Sequence, residues 1–219
     1  MTIMSPIIQG SDHLAVVIIL VLLITFFWAF GIHGMAIIGT LARPIWLTLQ
    51  EQNATALAEG LLPPNIAPET LYQWFVWIGG AGSTIGLALL LVFRSRSKSA
   101  RLLGKIAIAP AIFNINEPII FGAPVVLNPI LIPPFVIAPV VNAIISYTAI
   151  SWGLVDRLVT IAPWTLPGPI GAFISTGGDW RAAVLNLLLI ALSVVIYYPF
   201  FKKYDEQKLA EEKLEEINA

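Results

Sequence analysis

Between Ile106 and Val155 the chain carries a single charged residue, Glu117, together with seven prolines. An uncharged apolar run of this length belongs in a bilayer, where a helix of about 20 residues crosses once. The prolines, at 110, 118, 124, 129, 133, 134 and 139, exclude one straight helix. Each removes a backbone donor and clashes with the turn before it. Non-helical backbone survives at membrane depth only where protein buries it or where it lines a wet cavity. The run is therefore expected to fold as a re-entrant hairpin around Glu117, followed by a span near residues 130–155. A carboxylate at that depth costs about 2.5 to 3.5 kcal/mol on insertion scales, so Glu117 needs a reason to be there.

The remaining sequence agrees with a membrane chain. It is 58% hydrophobic and 11% charged, with mean hydropathy +0.85; a soluble domain is about 25% charged. Ten of the 25 charged residues lie in the tail 202–219. The expected fold is an all-α integral membrane protein with about four transmembrane helices and re-entrant hairpins of Pro/Gly-broken helix. Residues 1–201 form the membrane substrate-binding domain, and 202–219 a charged, solvated helical tail. A net charge of −1 gives no basis for nucleic-acid binding. The absence of cysteine removes disulfides, thiolate metal sites and a phosphocysteine in this chain.

The expected spans are 14–30, 72–93, a segment near 130–155, and 182–201. Residues 31–50 are too broken for a plain span, and 51–70 read as an exposed loop. The stretch "APWTLPGPIGAFISTGG", 162–178, is apolar but interrupted. Five basic residues between Arg94 and Lys105, with no acid, place that loop in the cytoplasm, as Lys202 and Lys203 do for the end of the last span. The spans 72–93 and 182–201 then run inward, and 130–155 outward. If 14–30 also runs outward, both termini are cytoplasmic.

"GIHG" at 31–34 and "FNINEPIIFGAPVVLNP" at 113–129 carry a resemblance. Together, in this order, they resemble the membrane sugar-porter (IIC) component of the bacterial phosphoenolpyruvate-dependent phosphotransferase system, in its lactose/cellobiose/chitobiose branch. The resemblance covers essentially the whole chain but only the C-terminal half of the family's usual protein. It implies a disaccharide held in a mid-membrane cavity and phosphorylated by a partner IIB subunit, itself charged through IIA. It also implies no cofactor and no metal. The missing N-terminal half would supply the dimer contact, so a homodimer is expected only with that half present.

Glu117 is the first candidate for substrate binding, as an acceptor for sugar hydroxyls and a possible general base. Pro118 disfavours helical dihedrals at Glu117, so the chain should break at the carboxylate. The competing role is a structural lock through Arg43 or His33. His33, between Gly31 and Gly34, is a donor and acceptor for hydroxyls. Asn114 and Asn116 suit hydroxyls or cap the broken backbone, and the sequence leaves both uses open. Trp28 and Trp164 are the candidate aromatic faces for a sugar ring; the other tryptophans suit a membrane belt. Arg43 pairs with Glu117 or snorkels, and His13 is assigned no role. Two alternatives stand beside the porter: an intramembrane hydrolase using Glu117 and His33, and a porter half that inserts without transporting. No H-E-x-x-H or G-x-S-x-G motif is present to favour the hydrolase.

Overall fold

The computed structural model describes residues 10–218. Among these, every regular element is helical. Helix α1 spans Leu14–Ala29 and stops just before Gly31, whose φ of +78° suits glycine. The chain then turns through a π-helical segment, Met35–Gly39, directly into α2, Thr40–Ala58. Two expectations change here. Residues 35–58 form continuous helix despite Pro44, and 51–58 are helix rather than loop. The stretch "EQNATALA" is rich in good helix formers.

The segment that follows is not exposed throughout either. Asn65, Ile66, Ala67 and Pro68 are buried in irregular backbone. Polar side chains supply the hydrogen bonds that regular structure would have made. The Asp12 carboxylate accepts from the Ile66 amide at 2.8 Å and the Ala67 amide at 2.6 Å. Asn53 accepts from the Asn65 amide at 2.8 Å and donates to the Asn65 and Leu158 carbonyls.

Residues 72–93 are broken rather than one span. A short helix α3, Glu69–Leu71, leads into a π-helical turn, Tyr72–Val76, and α4 begins only at Ile85, ending at Arg94. Between them Gly79, Gly80, Gly82 and Ser83 all have positive φ. A Cβ on Gly82 would lie 2.1 Å from the Phe135 ring. Residues 95–97 turn the chain into α5, Lys98–Ile112, so most of the basic segment is helix rather than loop. A second break at 113–116 precedes α6, Glu117–Gly122. Then come α7, Ile132–Ser151, and α8, Gly168–Ser175, followed by α9, Trp180–Asn218.

Helix α9 is the axis of the packing. It runs parallel to the 72–94 segment: Asn186 reaches the Trp74 carbonyl, Tyr197 reaches Gly82, and Asp205 reaches Ser95. Helix α7 lies antiparallel to α9, with Asn142 bonded to Ser193 and Asp156 to Asp179. Helix α1 lies antiparallel to α7: Tyr147 sits against the Leu14 backbone, and the Leu127 amide donates to the Ala29 carbonyl at 2.9 Å. This corrects the expected direction of 14–30, which runs the same way as α9. The first nine residues, and with them the expected position of the N-terminus, lie outside the described residues.

Among the described residues two helices are long and apolar enough to cross a membrane, Ile132–Ser151 and Trp180–Ile217; α1 and α4 are apolar but shorter. The tail continues α9 without interruption and is more than a solvated helix. Phe201, Tyr204 and Asp205 are buried. Asp205 accepts from the Ser95 hydroxyl and the Arg96 and Ser97 amides. Glu212 accepts from the Lys98 and Ser99 amides and both serine hydroxyls at 97 and 99. These contacts cap the start of α5, where free amides and the helix dipole favour an anion.

Candidate functional site

The two breaks face each other. The Gly79 amide donates to Asn114 Oδ1 at 2.9 Å, and Asn116 Nδ2 donates to the Ala81 carbonyl at 2.7 Å. Each break thus supplies hydrogen bonds that the other lacks. A cavity opens beside them. It is lined by Trp28 in the last turn of α1 and His33 beyond it, by Gln73, Trp77, Gly80 and Ala81 along the first break, by Asn114, Asn116 and Glu117 at the second, and by Trp164 ahead of α8. All six residues singled out in the sequence line this one cavity.

His33 is exposed to it, and its ring centroid lies 4.4 Å from that of Trp28. Its Nδ1 accepts from the Ala36 amide at 3.1 Å, so a neutral ring carries its proton on Nε2 as a donor. Gly34 is needed for this turn, because a Cβ there would sit 2.2 Å from the Ile24 carbonyl oxygen.

Glu117 is also exposed, and no side chain or amide among the described residues bonds its carboxylate. The lock through Arg43 is not made: Arg43 pairs instead with Glu69, at 2.8 and 3.1 Å through two nitrogens. Nor does the chain break at the carboxylate. The break precedes it, with Asn114 at a φ of 61°, and Glu117 opens α6. Pro118 then falls in the first turn, where a missing amide costs nothing. The carboxylate therefore stands in an open cavity, where water relieves the cost of its charge.

Among the described residues, buried donors without a partner on the residues that line the cavity include Trp28 Nε1, Gln73 Nε2, Trp77 Nε1 and Asn114 Nδ2. A buried donor left unpaired costs about 1–3 kcal/mol, which a ligand bearing acceptor oxygens would relieve. Gln73 and Trp77 are absent from the residues chosen by sequence. The available signal was a lone amide in "YQWFVWIGGAGS", beside its glycine break. Asn116 is committed to the wall, whereas Asn114 splits its amide between the wall and the cavity. The cavity thus brings together a carboxylate, an imidazole, amide side chains and aromatic rings, groups of the kind that can bond hydroxyls and pack against a ring. Among the described residues, no three His, Asp or Glu side chains converge as a metal-ligand set.

Residues 1–139 match the family described as "Phosphotransferase system, EIIC". The chain belongs to this family. It is 45% identical over 199 residues to the cellobiose-specific EIIC component of Geobacillus stearothermophilus, covering 90% of this chain and 44% of that protein. It is 45% identical over 186 residues to the lichenan permease IIC component of Bacillus subtilis, covering 84% and 41%. The fold matches the crystal structure of the transporter ChbC, the IIC component of an N,N'-diacetylchitobiose-specific phosphotransferase system. That match has a TM-score of 0.93 at 40% identity, over 97% of this chain and 49% of that one. The EIIC chain thus spans about half the length of the relatives it matches.

Proposed function

We propose that this EIIC chain binds a disaccharide of the cellobiose or chitobiose type in the cavity at Glu117 and presents it for phosphorylation by a partner IIB subunit. The observation that carries this reading is the convergence on one cavity of the Glu117 carboxylate, the His33 imidazole, two asparagine amides and three tryptophan rings. Glu117 accepts sugar hydroxyls and is placed to assist as a base when the hydroxyl attacks phosphorus. His33 and Asn114 donate to the sugar oxygens, Asn116 shapes the wall beside them, and Trp28 and Trp164 offer ring faces. The sugar class follows from the relatives named for cellobiose and N,N'-diacetylchitobiose. Residues 1–201 act as the membrane substrate-binding unit. The end of the bundle at Asp205 faces the cytoplasm, because the basic residues cluster there. The IIB subunit would meet the chain from that side.

The test is a titration of purified chain with cellobiose, N,N'-diacetylchitobiose and lactose, read by tryptophan fluorescence. Trp28, Trp77 and Trp164 line the cavity, so a saturable change is expected with at least one sugar. No change with any of the three refutes the reading.

A further inference from the structure

The cavity wall at Gly80 and Ala81 is a glycine-rich break, yet its carbonyls are fully committed. Every carbonyl from Val76 to Gly82 receives a donor. Five come from within the break and the first residue of α4: Ser83 Oγ to Val76 at 2.7 Å, the Gly80 amide to Trp77 at 2.9 Å, the Ile85 amide to Ile78 at 3.4 Å, Thr84 Oγ1 to Gly79 at 2.6 Å and the Ser83 amide to Gly80 at 3.1 Å. Two come from elsewhere. Asn116 donates to Ala81 on the cavity side, and the Tyr197 hydroxyl of α9 donates to Gly82 at 2.8 Å from behind.

Ser83 has a φ of 54°, uncommon for a residue with a side chain. It is held there by Asn142 of α7, whose Nδ2 donates to Ser83 Oγ at 3.1 Å and to Ser193 Oγ of α9 at 3.2 Å. Tyr197, Asn142 and Ser193 are completely buried, and none of them lines the cavity.

We propose that Tyr197 and Asn142 are positioning residues for the sugar site. They fix the wall from behind, and the wall in turn fixes the donors that face the ligand. Trp77 belongs to the wall itself. Asn114, which lines the cavity, is oriented by it, because the Gly79 amide bonds its Oδ1 at 2.9 Å. Removing the Tyr197 hydroxyl leaves a buried carbonyl without a donor, and the break relaxes to find one. Glycines offer little resistance to that movement. The proposal rests on the sugar-binding reading for its consequence, but the holding of the wall can be measured separately.

The experiment compares Tyr197→Phe and Asn142→Leu with Tyr204→Phe. The last makes the same chemical change on the same helix, near the Asp205 contacts. Hydrogen exchange of residues 77–84 and the dissociation constant for cellobiose are measured on the purified chain. Exchange in 77–84 is expected to rise selectively in the first two variants. Cellobiose binding is expected to weaken about five-fold, the low end for coupling between sites. Tyr204→Phe should change neither. Exchange that is unaltered in 77–84, or that rises equally along the whole chain, overturns the proposal; so does unaltered affinity with a loosened wall. If the wild-type chain ignores cellobiose, N,N'-diacetylchitobiose and lactose alike, the sugar reading fails by itself, and the exchange pattern still decides whether the wall is held from α9. Should both variants fail to fold, Ser193→Ala removes one acceptor of Asn142 more gently and is judged by the same outcomes.

Discussion

Replacing Glu117 by glutamine separates a ligand-binding carboxylate from a structural one. The carboxylate has no protein partner and is exposed to the cavity, so the substitution removes no bond of the folded chain. Tm should stay within about 2 °C of wild type, because 1 kcal/mol corresponds to roughly 2–4 °C at this chain length. Binding behaves differently. A hydrogen bond to a charged acceptor contributes about 1.5–3 kcal/mol, against about 1 kcal/mol for a neutral one. Losing about 1–2 kcal/mol weakens cellobiose binding on the order of ten-fold. The assay is tryptophan fluorescence on purified, folded protein, followed by sugar phosphorylation with phosphorylated IIB and every chain the transporter needs. If Glu117 also acts as a base, the phosphorylation rate falls further than affinity does. Unchanged affinity together with a lowered Tm would refute the reasoning and return Glu117 to a structural role.

Gly82→Ala forces a side chain into left-handed backbone and onto Phe135. A cost of about 3 kcal/mol should lower Tm by roughly 6–12 °C, checked by thermal unfolding in detergent. Cysteines placed singly at His13 and Glu215 should be labelled from opposite sides of the membrane, since α1 and α9 run the same way; labelling of both from one side contradicts the antiparallel packing of α1 on α7. Glu212 has its pKa lowered from 4.5 to about 2, first by the Ser99 amide and then by the Ser99 and Ser97 hydroxyls. A depressed folded pKa gives stability that is complete above about 4.5 and is lost as pH falls toward 2. The Tm gap between wild type and Glu212→Ala should therefore close on acidification through that window, and a gap that widens there would refute the cap.

The residues that line the cavity were legible because polar groups beside helix breakers are costly in an apolar run. Glu117, Asn114, Asn116 and His33 each stand next to a proline, a glycine or a chain break. Their partners were not legible. Asn116 bonds a carbonyl 35 residues away, and Tyr197 bonds one 115 residues away; no local pattern encodes such distances. The exposed loop expected over 51–70 fails at 65–68 for a related reason: Asn65 is buried there and satisfied by Asn53, Leu49 and Gln52. The direction of α1 was hidden because no basic residue flanks either end closely. What sets it is Asp12, whose carboxylate holds the Ile66 and Ala67 amides.

The breaks and the donors have one origin. A helix interrupted at membrane depth must satisfy its freed backbone within the protein. Here the two interruptions do so for each other, through Gly79 to Asn114 and Asn116 to Ala81. That solution consumes backbone groups and one end of each asparagine amide. Among the described residues it leaves Asn114 Nδ2 without a partner, like the Gln73 and Trp77 donors of the same cavity lining. A continuous helix at either position would present the cavity with aliphatic side chains and no free amide. The interruption therefore both creates the concavity and supplies its hydrogen-bonding groups. The break is held from behind by Asn142 of α7 and Tyr197 of α9, although neither helix touches the cavity.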